Sequence, residues 1–252
     1  MWGGTYIRLK RNWEKKSGNI YKEFVSNRRI VKLKDGIQMW LPYIKLNRKK
    51  VCGDYLQREI LLTQDYFERD ELNNLRDIFN TKNHEMNICD IGANIGNHTL
   101  YFLKHINASH VYSFEPVRST YDILKKNIEL NHYESKTTLY NCALGNRCGK
   151  GVSHVLENNC GGNSVEYSDA GDVAFLRLDD IQFEGPVNFC KIDVEGFEYE
   201  VLKGGKDFLE RNKPILFIEV FDKNYDKVNG LLSELGYEQK RKLWDNYIYY
   251  HE

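Results

Sequence analysis

Lys191, Asp193 and Glu195 alternate along one short stretch, and Glu219 closes a later apolar run. Residues i and i+2 of a strand share a face, so Lys191 and Asp193 are expected to point the same way. If both runs are neighbouring parallel strands, three carboxylates meet on one rim. A positioned carboxylate can take the proton of an alcohol, a contribution typically worth ~10²–10⁴-fold in rate. Close like charges raise the pKa of one member and make it a usable base near neutrality. The expected base is Asp193 or Glu195, with Lys191 and Glu219 orienting it or the acceptor hydroxyls. The bland reading of Lys191 is an ion pair with Asp193, since a buried lysine needs a partner. Three hard oxygen donors would also suit Mg²⁺. The sequence does not favour that reading, because it fixes no coordination geometry.

A second constellation is DIGANIG at 90–96, followed by Asn97, His98 and Thr99. Its glycines follow GxxxG spacing. A dinucleotide turn wants GxGxxG and a P-loop wants GxxxxGK[ST], so a cofactor without phosphates against the turn fits better. S-adenosylmethionine, with a sulfonium, a ribose and an amino-acid tail, is such a group. Glu115 lies 25 residues after Asp90, at the expected end of the next strand, where a carboxylate accepts hydrogen bonds from ribose hydroxyls. Its plain alternative is a helix N-terminal acid next to Pro116.

These residues need a scaffold. Apolar runs at 87–91, 110–114, 138–142, 187–192 and 214–219 read as strands. Helical spacing intervenes at 96–105, 117–130, 197–210 and 224–235. Repeated β-α units predict a mostly parallel sheet with helices on both faces. Segments 237–244 and 246–250 then form a hairpin that adds a terminal antiparallel strand. Upstream, the alternation around Asp35-Gly36 predicts a β-hairpin, and 54–64 and 68–79 read as helices. Two units follow: residues 1–65 as a basic extension packed on or capping the core, and residues 66–252 as the cofactor-binding domain.

The chain resembles the FkbM-type family of S-adenosylmethionine-dependent methyltransferases. The resemblance rests on DIGANIG (90–96), FEP (114–116), NCALG (141–145), LDD (178–180) and KIDVEGFE (191–198), in that order. It covers roughly 66–250. It implies an α/β class I methyltransferase sheet, Rossmann-like, and S-adenosylmethionine as cofactor. It also implies that Asp90, Gly92, Ala93, Asn94 and Gly96 surround the methionine part. Glu115 and Pro116 would lie at the ribose, Ala143 and Leu144 near the adenine. Asn97, His98 and Thr99 would offer donors from the helix start. Family members are mostly O-methyltransferases, many acting on sugars, and Phe67-Glu68 resembles an aromatic-acid pair they often carry. His98 could face the acceptor, although a helix-start donor is the commoner role. Asp179 and Asp180 are expected to be a turn and cap.

Of 252 residues, 41% are hydrophobic and 29% charged, which excludes wholesale disorder. No apolar run approaches the ~20 residues of a membrane span. The start carries no secretory h-region. Six cysteines form no CxxC pair, so reduced thiols in the cytoplasm are expected. Residues 1–60 hold 15 Lys/Arg against 5 Asp/Glu, with Trp2, Tyr6, Trp13, Tyr21, Trp40 and Tyr43 among them. Aromatic faces beside cations suit a stacked, anionic ligand. The expected acceptor is therefore a glycan or small molecule, foremost a nucleotide-activated sugar or a surface-polysaccharide component. The polar stretch with His154, Asn158, Asn159, Asn163 and Ser164 is read either as a cover over it or as an ordinary surface excursion. Rival readings are another small molecule, RNA, a protein, or a non-catalytic module that keeps the cofactor fold. Nucleic acid is not favoured, because no RNA-binding motif appears.

Overall fold

The computed structural model describes residues 19–47, 50–79, 85–106, 108–243 and 245–252. Trp2, Tyr6 and Trp13 lie outside the described residues, as does residue 244, the predicted end of one strand. The chain enters through a helix over 19–26 (α1). Two hairpins follow, β1 (Ile30–Lys32) with β2 (Gln38–Trp40), and β3 (Ile44–Asn47) with β4 (Lys50–Gly53). Then come helices α2 (Tyr55–Thr63) and α3 (Arg69–Phe79). The alternating region runs β5 (Met86–Ile91), α4 (Asn97–His105), β6 (Ala108–Phe114), α5 (Arg118–Leu130) and β7 (Thr137–Tyr140). After an insertion it resumes with β12 (Val187–Ile192), α6 (Glu198–Lys203), α7 (Lys206–Asn212), β13 (Ile215–Glu219), α8 (Asp222–Glu234), β14 (Tyr237–Leu243) and β15 (Asn246–His251). The insertion is β8 (Ala143–Leu144), β9 (Gly149–His154), β10 (Ser164–Tyr167) and β11 (Val173–Leu176).

Seven strands make the main sheet in the order β14-β15-β13-β12-β5-β6-β7. Strands β13, β12, β5, β6 and β7 are mutually parallel, and β15 runs antiparallel between β13 and β14. This is the expected α/β sheet, with its antiparallel strand contributed by the terminal hairpin. Strand order reverses between β5 and β12, and the carboxyl ends flanking that point are where such sheets bind ligands.

Alternation along the strands gives the sheet two apolar faces. Ile88, Val111, Phe189, Phe217 and Ile248 belong to one core with α2–α5 and the first hairpin. There Phe189 packs edge-on against Phe79 and Phe102, at 4.8 and 5.5 Å between ring centroids. Cys89, Tyr112, Cys190, Leu216 and Tyr249 belong to the other core with α6–α8. The first hairpin is tied down by its backbone: the Gln38 and Trp40 amides donate to Asn131 and Asn127 of α5 at 2.9 and 2.6 Å.

Three elements depart from expectation. The run 138–142 ends as a main-sheet strand at Tyr140, because the Asn141 side chain turns to donate to the Glu115 and Pro116 carbonyls. Ala143 and Leu144 then pair with Phe175 and Leu176 in the smaller sheet. The helix predicted at 197–210 breaks at Gly204-Gly205, where a Cβ on Gly204 would stand 1.9 Å from the Gly145 carbonyl oxygen. The polar stretch folds into the four-stranded sheet β10-β9-β11-β8, whose short strands and many glycines hid its period.

Candidate active site

A cleft with a cavity volume of about 260 Å³ opens at the carboxyl ends of β5, β6, β12 and β13. Of the predicted cofactor residues, Gly92, Ala93, Asn94, Asn97, His98, Glu115, Pro116, Ala143 and Leu144 line it. So do all four predicted catalytic residues, Lys191, Asp193, Glu195 and Glu219. Asp90, Gly96 and Thr99 are not on its wall but support it from beneath.

The glycine turn is held by its own contacts. The Gly92 and Ala93 amides both donate to the Phe114 carbonyl, Gly96 donates to Ala93, and the Ile95 amide donates to the Asn94 side chain. The Asn94 amide donates to Glu115 Oε2 at 3.0 Å. These donors are therefore spent within the protein. Gly92, at φ +81°, is required because a Cβ there would lie 1.7 Å from the Asp193 carbonyl oxygen. A Cβ on Gly96 would meet Leu124 at 2.8 Å. The close crossing of the Asp193 backbone accounts for Gly92, and a left-handed backbone at φ +88° accounts for Gly96.

Asp90 is fully buried. Its carboxylate takes the Thr99 hydroxyl at 2.6 Å and lies 3.6 Å from Lys191 Nζ. Lys191, 2% exposed, donates to the Gly92 carbonyl at 2.8 Å and pairs with Asp193 at 3.1 Å. Burial alone would lower the lysine pKa; the Asp193 and Asp90 carboxylates outweigh it and raise it above the usual value. The ion-pair reading of Lys191 thus describes its geometry, and it stiffens the crossing between β5 and β12.

Glu115 is 5% exposed and does two things at once. Oε1 accepts from the Val117 amide at 2.8 Å, where α5 starts, and Oε2 accepts from Asn94. Burial pushes its pKa up to about 7 against the pull of those two amides. Each oxygen retains a lone pair, so hydroxyl donors in the cleft would favour the carboxylate form.

The acidic rim follows. Burial raises Asp193, but Lys191 and a hydrogen bond from Glu219 outweigh it and leave it below the usual range. Glu219 is the reciprocal partner: burial and the Asp193 charge push it up to about 10, so the pair keeps one proton, on Glu219. Glu195 is raised to about 7 by burial and then by Asp193 and Glu198. Its backbone is left-handed at φ +55°, a costly conformation for a non-glycine residue. The turn is pinned on both sides: the Gly196 amide donates to Glu198 Oε1 at 2.7 Å, and Asn224 Nδ2 donates to the Gly196 carbonyl at 3.0 Å. Ligand atoms of Asp193, Glu195 and Glu219 lie within 4.8 Å of one another.

The opposite wall is built by α2, the segment before α3 and the insertion loop. Asp54 caps α2 through the Gln57 amide at 2.9 Å and with its other oxygen accepts the Cys160 amide at 2.6 Å. The Cys160 carbonyl in turn accepts from Asn94 Nδ2 at 2.8 Å. The insertion loop is thereby stitched to α2 and to the glycine turn, and Asn159 to Asn163 roof the cleft. Tyr55, Phe67 and Glu68 complete the mouth. Asn97 is a clip here, exchanging hydrogen bonds with the Phe67 backbone at 3.0 and 3.1 Å. His98 Nε2 lies 3.4 Å from Glu68 Oε2. Phe67-Glu68 and the polar stretch with Asn159 and Asn163 were singled out from the sequence; Asp54 and Gln57 were not, although their D-x-x-Q spacing marks a helix start. Asp179 caps α7 through the Phe208 amide and Asp180 pairs with Arg177, as a turn and cap should.

A cationic ligand surface was expected from the first 60 residues; among the described residues, no arginine or lysine of 19–60 lines the cleft. Arg29 is spent on the Pro42 and Ile44 carbonyls, Lys34 pairs with Asp65, and Tyr21 packs on Phe24. No helix among the described residues is long and apolar enough to cross a membrane.

A family model described as the methyltransferase FkbM domain matches residues 90–238. A protein from Beauveria bassiana named Methyltransferase 1 is 31% identical over 147 residues, 48% of this chain and 58% of that protein. Methyltransferase sdnD of Sordaria araneosa is 29% identical over 154 residues, 46% of this chain and 59% of that protein. The chain thus spans less than two thirds of the length of these relatives. Among solved structures, an FkbM methyltransferase from Methylobacillus flagellatus KT matches with a TM-score of 0.48 at 17% identity, covering 79% of this chain and 56% of that one. Magnesium protoporphyrin IX methyltransferase of Synechocystis PCC 6803 matches with a TM-score of 0.47 at 11% identity, covering 79% and 85%.

Proposed function

The chain belongs to the FkbM methyltransferase domain family, and from that premise we propose that it methylates a hydroxyl of a sugar-like acceptor at the expense of S-adenosylmethionine. The observation that carries this reading is the pairing, in one cleft, of Glu115 beside a self-satisfied glycine turn with a rim of three carboxylates in distinct protonation states. The donor chemistry fits the cofactor. The turn offers no spare amides for phosphates, Glu115 offers a carboxylate for ribose hydroxyls, and Ala143, Leu144 and Val165 offer an apolar wall for a base. When bound, S-adenosylmethionine supplies an already activated methyl group, so the protein's work is alignment and proton removal.

Glu195, poised about 7, is the base in this reading: near neutrality a large fraction is ionised and able to take the acceptor proton. Asp193 is too firmly held as an anion by Lys191 to be the better base, and instead anchors acceptor hydroxyls. Glu219, protonated, donates. The acceptor is neutral and polyhydroxylated. A diphosphate inside the cleft would face Glu68, Asp193 and Glu195, with Lys191, the one lysine on its wall among the described residues, already spent, which weighs against the nucleotide-activated sugar expected from the basic N-terminal segment. Reduced thiols, with all six cysteines free, suit a cytoplasmic setting.

Calorimetry with S-adenosylhomocysteine tests the cofactor half. A Kd near micromolar corresponds to about −8 kcal/mol, and Glu115→Ala should weaken it at least tenfold. No binding to the folded protein would refute the reading. The proximity of the three carboxylates favours one second reading, a divalent ion that lowers the hydroxyl pKa. Turnover surviving EDTA dialysis removes it; turnover lost and restored by Mg²⁺ puts it first.

A further inference from the structure

Helix α2 and the segment leading into α3 enclose a second hollow, of about 360 Å³, beyond the cleft mouth. Tyr55, Glu59 and Thr63 fall four residues apart and share the α2 face that forms one wall. Phe67, Arg69 and Glu71 form the other. Tyr55, Phe67 and Glu68 border both hollows, so the second is a shoulder of the first. At the junction Tyr55 is 47% exposed, set edge-on to Phe67 with centroids 5.8 Å apart. His98, 8% exposed, stands at the same junction with Nε2 turned to Glu68 and lacking a hydrogen-bond partner.

Carboxylates outnumber cations at the shoulder: Glu59, Glu68, Asp70 and Glu71 line it, and both nearby arginines are engaged, Arg58 over the Tyr55 ring and paired with Glu59, Arg69 over the Tyr66 and Tyr101 rings and against Asp65. Such a surface repels anions. It offers carboxylates to hydroxyl donors and an aromatic edge to a C–H face. That combination recognises a neutral sugar ring.

We propose that the shoulder is a second acceptor subsite, which holds the neighbouring ring of a neutral glycan while the cleft holds the ring to be methylated. This rests on the reading of the cleft as a methyl-transfer site. The acceptor is then an oligosaccharide of at least two rings rather than a single sugar.

The test is methyl transfer to a panel of neutral mono-, di- and trisaccharides, with S-adenosylhomocysteine calorimetry run on every variant. The expected result is a KM at least tenfold lower for a disaccharide than for its component monosaccharide. Glu59→Ala, or Thr63→Trp to fill the hollow, should abolish that gain while leaving the monosaccharide KM and kcat and the S-adenosylhomocysteine Kd unchanged. Both residues are on the surface of α2 and outside the cleft. Equal KM values for one ring and two overturn the subsite. So does a Thr63→Trp variant that keeps the disaccharide advantage, or a panel with no acceptor at all in a protein that binds S-adenosylhomocysteine. Absence of S-adenosylhomocysteine binding refutes the cleft reading itself.

Discussion

Glu115 should make cofactor-product binding depend on pH in a direction its surroundings dictate. Burial lifts its pKa to about 7 in the free protein, against the ordinary carboxylate range near 4.5. About one molecule in ten is then ionised at pH 6 and about nine in ten at pH 8. Ribose hydroxyls donate to the ionised form. S-adenosylhomocysteine should therefore bind roughly tenfold more tightly at pH 8 than at pH 6, about 1.4 kcal/mol, and release a proton near pH 7. The sign for folding is opposite. A carboxyl whose folded pKa exceeds its unfolded one stabilises the fold below about pH 4.5, and that contribution is lost as pH rises toward 7. Calorimetry in two buffers of different ionisation enthalpy counts the proton. Glu195→Gln is the control, because Glu195 titrates in the same range but is placed at the acceptor end; it should leave the pH dependence intact. Glu115→Gln should abolish it. It should also weaken binding at pH 8, since its amide nitrogen would face the Val117 or Asn94 amide. Wild-type affinity flat from pH 6 to 8, with no proton released, would refute the argument.

Other perturbations separate the roles of neighbouring residues. Glu195→Gln should cut methyl transfer by roughly 10²–10⁴-fold with the S-adenosylhomocysteine Kd within twofold, read by radiolabel transfer and calorimetry. Lys191→Met strips the cation from fully buried Asp90. Urea unfolding should show a loss of roughly 3–5 kcal/mol, and the melting temperature should fall by roughly 6–20 °C. Gly92→Ala should give little folded protein, because its Cβ would stand 1.7 Å from the Asp193 carbonyl oxygen. Gly161→Ala in the roof, where the nearest atom is 3.4 Å from the new Cβ, should fold normally by circular dichroism.

What the sequence disclosed and what it hid follow from how far apart the interacting residues are. The β-α alternation was legible because each strand carries a continuous apolar run and each helix a 3.6-residue period. Asp193, Glu195 and Glu219 were legible because the carboxyl ends of parallel strands share one edge. The reason for Gly92 was not, since the Asp193 carbonyl that forbids a Cβ is a hundred residues away and depends on β5 pairing with β12. What ties down the roof was hidden for the same reason: the Asp54–Cys160–Asn94 chain of hydrogen bonds joins three segments that no local spacing connects. Ala143 and Leu144, read only as lying just past the 138–142 strand, form a short strand that takes its partner from outside the main sheet.

Charge along the described wall of the cleft runs opposite to the composition of the first 60 residues. The surplus of lysine and arginine before residue 60 invited an anionic acceptor. Yet a cation acts on a ligand only if it lies within about a Debye length and is not already paired. Among the described residues, the nearest basic group to the rim is Lys191, and Asp193, Asp90 and the Gly92 carbonyl share it. What faces the cleft is instead a set of carboxylates pressed together until Glu195 and Glu219 rise toward neutrality and beyond. Such a rim attracts whatever relieves the crowding: protons, hydroxyl donors, or a cation. A methyl donor with a positive sulfonium on one side and a polyol on the other relieves it from both, whereas a phosphate would add to it. If the cleft is the methyl-transfer site, its acidic rim favours a polyol acceptor, and transferase assays should be designed around that rim.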